Sequence, residues 1–213
     1  MKTVTKEQLQ WLESLIPQMK TIRYGPMEPF FHQTVEEHVV AMLGLVDAML
    51  SETGLQFEAS KLRAMIIVHD LPEFGMEKDI TAWELERNQG LQESKEIAER
   101  AVMERFARGQ GQWVLDIYNE YELGETEMAK FVRFLDKYES NVYLLGRFEL
   151  RETQLGQTGE HIFYNTRRLV KAAVDFPVMR GVALRRMGEI KPLFEKYGAP
   201  DKWQELSEQL RSV

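Results

Sequence analysis

Polar side chains that could bind a metal ion or move a proton lie close together in the run VHDLPE, residues 68–73. His69 is on the apolar side of a predicted helix, with Met65 and Ile66 one turn earlier. An imidazole beside the Asp70 carboxylate at the buried end of a helix carries a desolvation cost. A bound cation would remove that cost, because buried charges are normally paired or bound to metal. The alternative is a core histidine that is hydrogen-bonded to a neighbouring acid.

A second imidazole, that of His38, is also predicted to face the core. It lies early in a helix that opens with the capping-box pair Thr34 and Glu37, and apolar residues surround it at helical spacings. The chain contains no cysteine, so only imidazoles and carboxylates are available as strong metal ligands. Two core-facing imidazoles, one of them beside an aspartate, begin to resemble half of a metal shell. The two other histidines are predicted as a loop residue that could line a pocket mouth, His32, and a residue at a helix start, His161.

Asp136 is a third candidate ligand. It lies inside a long, strongly periodic predicted helix at residues 125–147, where aspartate is a poor helix former. Its neighbours one turn away are small and semi-apolar, which does not suit a fully solvated face. The alternative is an exposed carboxylate that pairs with Arg133 or Lys137.

The elements that must position these side chains are helices. The apolar spacing is helical nearly everywhere, and strand-like alternation bounded by turn signals is absent. We therefore predict an all-α helical bundle in a single domain over residues 1–213, with the motif-bearing core at about 20–145 and C-terminal helices at about 160–211. Helices are predicted at about 5–20, 34–51, 60–69, 81–108 (in pieces), 112–121, 125–147, 162–174, 178–197 and 201–210. Ser60 is predicted to start the third helix, and Pro72 marks where that helix must end. The predicted capping pairs are Thr5 with Gln8, Thr34 with Glu37 and Thr81 with Glu84.

Composition excludes several classes of function. The chain has 213 residues, 44% of them hydrophobic and 29% charged, as is usual for a globular protein. The absence of cysteine rules out disulfides, thiolate zinc sites and a cysteine nucleophile. The formal net charge of −7 argues against nonspecific nucleic-acid binding. The charged N-terminus does not predict a signal peptide, and no stretch approaches the roughly 18 apolar residues of a membrane span, so a cytoplasmic protein is expected.

The order of His38, His69-Asp70 and Asp136 on three helices of an all-α chain resembles the HD-domain phosphohydrolases. Within that family the motifs look like those of the bacterial 5'-deoxynucleotidase branch, and the resemblance covers about residues 20–145. The segments TVEEH, HDLPE and FLDK are similar to that branch's S-V-x-E-H, H-D-x-x-E and A-D-K segments.

The resemblance implies a role for each matching position. It implies four ligands for one divalent cation (Mn, Co, Zn, Fe, Ni or Mg), namely His38, His69, Asp70 and Asp136. It implies that the acids Glu73 and Asp79 handle the water and the leaving group, and that Arg23 contacts phosphate. The chain has Arg23-Tyr24 where the family has R-W and Lys78-Asp79 where it has G-D, so Lys78 is a further candidate phosphate contact.

We therefore expect a metal-dependent phosphohydrolase that cleaves the phosphate monoester of (deoxy)nucleoside 5'-monophosphates. Glu73 would orient a water, and Asp79 would protonate the departing ribose oxygen. The alternatives are a deoxynucleoside triphosphate triphosphohydrolase, a non-catalytic nucleotide-binding module of the same fold and, third, a cyclic-nucleotide or (p)ppGpp hydrolase. Few cations flank the motifs, which favours the monophosphate; these are Arg23, Lys61, Arg63, Lys78, Arg133 and Lys137.

A nucleotide or another phosphate ester is the expected ligand, with no nucleic acid and no membrane as partner. A homodimer is also expected, because two-fold pairing is the commonest assembly of such proteins and the aromatic residues at 113, 118 and 121 could remain exposed. The arginine pairs at 167–168 and 185–186 are predicted to be solvated helix faces, with an oligomer contact or phosphate binding as the alternative.

Overall fold

The structure is a computed structural model that describes residues 3–24, 32–75, 88–147 and 159–212. Within these ranges the chain forms nine α-helices and no β-strand, which confirms the all-α prediction; one isolated antiparallel bridge joins Ile22 and Thr34. The helices are α1 (Lys6–Leu15), α2 (Val35–Thr53), α3 (Ala59–Val68), α4 (Gln89–Gln110), α5 (Trp113–Leu123), α6 (Glu127–Gly146), α7 (Gly159–Asp175), α8 (Arg180–Lys196) and α9 (Pro200–Arg211). Three 3₁₀-helices accompany them, Ile16–Gln18, Leu71–Gly75 and Pro177–Met179.

Side-chain caps define where the first helices begin. The predicted capping box of Thr5 and Gln8 is present at α1, and that of Thr34 and Glu37 is present at α2. The prediction that Ser60 opens α3 is wrong, because the carboxylate of Glu58 accepts the first free backbone N–H groups and the helix begins earlier. A third capping signal, at Thr81, lies outside the described residues.

The end of α3 agrees with the prediction from Pro72. The last helical residue is Val68, and the backbone N–H of His69 still donates to the Met65 carbonyl at 3.0 Å. Proline cannot donate the backbone hydrogen bond that would extend an α-helix, and the chain tightens into the 3₁₀-helix that contains Glu73. The potential ligands His69 and Asp70 therefore lie at the junction between two helices.

The chain divides into two compact units, and the single-domain prediction stays a prediction. The first unit comprises Met1–Gly44 and Phe57–Ala129. In it, α3 packs against α1 and α5, while α4 packs against α5 and the 3₁₀-helix of Glu73. Every residue from 64 to 68 in α3 is buried, so this helix forms the centre of the unit.

The second unit comprises Leu45–Gln56 and Lys130–Val213, and α7, α8 and α9 pack against one another in it. The guanidinium of Arg186 donates to the side-chain oxygen of Asn141 at 2.9 Å, and the Asn141 amide donates to the Thr166 hydroxyl at 3.5 Å. The Arg186 side chain is only 12% exposed. The prediction that it lies on a solvated face is therefore wrong, because its guanidinium donates to the buried Asn141 as well as to Glu189.

Two of the three aromatic residues expected to support a dimer are buried, and the third, Trp113, is half-buried. Tyr118 and Tyr121 are both buried within α5, since they point into the first unit. The homodimer therefore stays a prediction without that support, and sedimentation across the micromolar range is the measurement that checks it. The expected result is twice the monomer mass, and a monomer at every concentration would contradict it.

No helix in the described part of the chain is both long and apolar enough to cross a membrane.

Candidate metal centre

His69 is held with one ring nitrogen turned towards its own helix. Its Nδ1 lies 2.5 Å from the backbone carbonyl oxygen of Ile66, which can only accept a hydrogen bond. A proton on Nδ1 would complete this hydrogen bond and leave the lone pair of Nε2 for a metal ion. The Tyr121 ring packs edge-on to the imidazole, with 5.4 Å between the ring centroids. This orientation by a backbone carbonyl is typical of histidines that bind metal.

His38 provides a second imidazole beside the first. It is fully buried in the first turns of α2, where its backbone N–H donates to the Thr34 carbonyl at 3.1 Å. The ring centroids of His38 and His69 lie 5.6 Å apart. The capping box at Thr34 fixes where α2 begins, and this in turn fixes the direction of the His38 side chain. The prediction that both imidazoles face the core is confirmed.

The Asp70 carboxylate lies against both imidazoles. Its Oδ1 is 3.2 Å from the Nε2 of His69, and its Oδ2 is 3.6 Å from the Nε2 of His38. Asp70 is 8% exposed, so the group is almost completely removed from water. The alternative, a core histidine hydrogen-bonded to a neighbouring acid, requires only one imidazole on the carboxylate. Here two buried imidazoles lie against the same carboxylate. This donor set fits a divalent transition ion.

Asp136 is buried on α6 and has local hydrogen-bond donors. It is 5% exposed, and its carboxylate accepts hydrogen bonds from the Lys137 ammonium and, at 3.4 Å, from the Ser140 hydroxyl. The pairing with Lys137 that the sequence offered as an alternative is thus present, but the carboxylate is not on an exposed surface. Asp136 belongs to the second unit, whereas His38, His69 and Asp70 belong to the first, so its place among the metal ligands stays a prediction.

Glu73 lies on the 3₁₀-helix directly after the His69-Asp70 pair. Its backbone N–H donates to the Asp70 carbonyl at 3.1 Å, and its own carbonyl accepts from the Thr21 hydroxyl at 3.0 Å. Its carboxylate lies 3.7 Å from the Lys95 ammonium of α4, and the side chain is 13% exposed. Glu73 is therefore close to the predicted ligands in sequence, with its backbone held by Asp70 and Thr21 and its carboxylate near Lys95.

Arg23 lies on a segment that is attached to the start of α2. Its backbone N–H donates to the Gln33 carbonyl at 2.8 Å, and its guanidinium reaches the Gln33 side chain at 3.4 Å. Two residues earlier, Thr21 is bonded to Glu73. Tyr24, which follows Arg23, has a positive φ of 65°, a conformation that residues other than glycine seldom adopt. Hydrogen bonds thus tie the segment both to the helix of His38 and to the turn of Glu73.

Two charged residues on α4 are largely removed from water, which their sequence context does not indicate. The side chains of Lys95 and Glu99 are 15% and 17% exposed, and their ammonium and carboxylate groups lie 3.5 Å apart. Burial raises the pKa of Glu99; Lys95 opposes this shift, while the Glu122 and Asp70 carboxylates add to it. The only sequence signal was an i, i+4 ion pair, which is common on exposed helices.

The structure leaves some predicted residues untested. Lys78 and Asp79 lie outside the described residues, as does the side chain of His161. His32 is described and exposed, and α2 begins three residues after it.

The family model described as an HD domain matches residues 29–168. This range is roughly two thirds of the chain and contains all four predicted ligands together with Glu73, whereas Arg23 precedes it. Comparison with curated proteins and with solved structures gives no match. A match over most of the chain, together with the buried imidazoles and carboxylate, shows the family. The chain belongs to the HD-domain family of metal-dependent phosphohydrolases.

Proposed function

We propose that the chain hydrolyses the phosphate monoester of (deoxy)nucleoside 5'-monophosphates. The observation that carries the proposal is the Asp70 carboxylate, buried against the Nε2 atoms of both His38 and His69. Such a site suits a cation. A further acid, Glu73, follows Asp70 by only three residues, and its backbone N–H donates to the Asp70 carbonyl. Metal-assisted hydrolysis of a phosphate ester uses this combination of a metal ion and a nearby acid–base group.

The proposed ligand set is His38, His69, Asp70 and Asp136. A bound divalent ion, one of Mn, Co, Zn, Fe, Ni or Mg, would lower the pKa of a water molecule and neutralise charge on the phosphoryl group. Two imidazole nitrogens and two carboxylate oxygens suit such ions and leave positions open for other ligands. Asp136 offers a buried carboxylate oxygen, which supports its place in this set.

The chain's own acids would move the protons. The Glu73 carboxylate would orient the attacking water and accept its proton, because Glu73 follows the His69-Asp70 pair by one turn and its backbone N–H donates to the Asp70 carbonyl. We propose that Asp79 protonates the departing ribose oxygen. Arg23, with a planar guanidinium that suits two phosphate oxygens, and Lys78 are the proposed phosphate contacts.

The charges on the described residues support a monophosphate substrate. Several cations near the motifs already form ion pairs, since Lys61 pairs with Glu120 at 2.8 Å and Arg63 pairs with Glu13 at 2.7 Å. Lys137 pairs with Asp136. A triphosphate carries more negative charge and needs more cations to hold it, which leaves the triphosphohydrolase as the alternative.

Phosphate release from a panel of substrates tests the proposal. The protein is stripped of metal, reloaded with each of the six ions, and assayed on nucleoside monophosphates, deoxynucleoside triphosphates and cyclic nucleotides. We expect inorganic phosphate from the monophosphates. Release of triphosphate would favour the alternative enzyme, while metal retention and nucleotide binding without turnover would indicate a binding module.

Arg23→Ala is expected to raise KM for the monophosphate by about 10–100-fold, because a charge-assisted contact to phosphate is lost. The metal content and kcat should stay close to those of the parent protein. Arg63→Ala is the matched control, since it removes a guanidinium that pairs with Glu13 and is 45% exposed. Steady-state kinetics and metal analysis check both variants. An unchanged KM for Arg23→Ala would show that this side chain does not bind phosphate.

A further inference from the structure

We propose that Lys95 is a positioning residue that holds the Glu73 carboxylate in its working orientation. The inference deepens the proposed function and rests on it, because it concerns the acid that would handle the water. Lys95 comes from α4, which lies outside the motifs that carry the family resemblance. The family motifs alone therefore do not predict a role for Lys95.

The first argument is the placement of the ammonium group. The Nζ of Lys95 lies 3.7 Å from an oxygen of Glu73 and 3.5 Å from an oxygen of Glu99, so it stands near carboxylates from two different elements. All three side chains are less than one fifth exposed. A lysine on a helix normally extends its charged end into water, at little cost in conformational freedom. Here the charged end remains inside, where it contacts the 3₁₀-helix of Glu73.

The second argument is the surplus of negative charge around this lysine. Glu99 is buried, and the carboxylates of Glu122 and Asp70 act on it with the same sign of charge. Without the ammonium, the Glu73 and Glu99 carboxylates would lose a cation that lies close to both, and like charges repel more strongly in a partly buried site than in water. The Glu73 side chain could then relieve the repulsion by rotating out of its present orientation.

The third argument is the weakness of the backbone restraint on Glu73. It lies in a five-residue 3₁₀-helix, Leu71–Gly75, whose hydrogen bonds are poorer than those of an α-helix. The backbone of Glu73 is held by Asp70 and Thr21, but these bonds do not restrain its side-chain torsions. The contact with Lys95 does restrain them, because it acts on the carboxylate itself.

The kinetic test compares Lys95→Met, Lys95→Arg, Glu73→Gln and the double variant Lys95→Met/Glu73→Gln. Lys95→Met should lower kcat by about 10–100-fold, the usual loss for a supporting contact, with KM and metal content unchanged. Lys95→Arg should retain most of the parent's kcat, because it keeps the charge. In the Glu73→Gln background, Lys95→Met should cause no further loss. Additive losses, or a raised KM, would overturn the proposal in favour of direct substrate contact.

Arg100→Ala is the matched control for this series. Arg100 is on the same helix and forms the same kind of i, i+4 pair, with Glu104, but its side chain is 64% exposed. It should therefore behave like the parent protein in every assay. If Lys95→Met does not fold, Lys95→Gln takes its place as the neutral variant.

Two further measurements do not need turnover. Calorimetric titration of the metal-loaded protein with inorganic phosphate should give the same affinity for Lys95→Met as for the parent. In thermal unfolding, Lys95→Met and Glu73→Gln should each lower Tm by about 3–8 °C. The Tm of the double variant should be no lower than that of the less stable single variant. Additive Tm losses would overturn the proposal. A parent protein that releases no phosphate from any substrate would refute the proposed function, while the Tm values would still decide whether Lys95 holds Glu73.

Discussion

Asp70→Asn is expected to abolish metal retention and phosphate release together. The substitution keeps the shape of the side chain but removes the charge that lies against the Nε2 atoms of His38 and His69. Loss of a supporting contact around a metal typically costs about 10–100-fold in affinity, and loss of a charged ligand should cost more. Mass-spectrometric metal analysis and a phosphate-release assay on the same preparations are the measurements.

Asp116→Asn provides the control for this change of charge. Asp116 belongs to the same unit, but it is exposed on α5, where its carboxylate accepts a hydrogen bond from Gln112. It should retain both metal and activity. If Asp70→Asn binds metal as well as Asp116→Asn does, then Asp70 is not a ligand, and the contacts with the two imidazoles serve packing alone.

Glu73→Gln is expected to leave the metal in place while lowering kcat by about 10²–10⁴-fold, the usual scale for a positioned acid–base group. The amide keeps the size of the side chain and its backbone hydrogen bonds to Asp70 and Thr21, but it cannot accept a proton from water. Steady-state kinetics and metal analysis check this prediction side by side with Asp70→Asn.

Glu104→Gln is a suitable control, because its carboxylate is 45% exposed on α4 and pairs with Arg100. It should match the parent protein. If Glu73→Gln loses metal as completely as Asp70→Asn, then Glu73 is itself a ligand and the assignment of roles is wrong. If it retains full activity, the proton must go to another group.

The sequence determined most of what depends on neighbours within one or two helical turns. The spacing of apolar residues predicted the all-α fold, and it predicted that His38 and His69 face the core. The capping pair at Thr34 predicted the start of α2, and Pro72 predicted the end of α3. These signals succeed because helix periodicity, capping and proline geometry are local properties.

The sequence was less informative where side chains compete for the same local role. At the start of α3, both Glu58 and Ser60 could have capped the helix, and the longer carboxylate reached two backbone N–H groups. For Asp136, the sequence offered burial or pairing with Lys137 as alternatives, and the structure shows both at once. Propensity alone cannot rank such outcomes, because their energies differ by a fraction of the packing energy around them.

Only the tertiary structure decided which charged residues are buried together. Lys95 and Glu99 look like an ordinary surface pair in the sequence, and Arg186 looks like part of a solvated basic face. Packing of α4 against α5 and the 3₁₀-helix removes the first pair from water and brings it to Glu73, while a buried amide takes up Arg186. The physical reason is that an ion pair's environment depends on residues distant in sequence, and these are brought together only by the packing of whole helices.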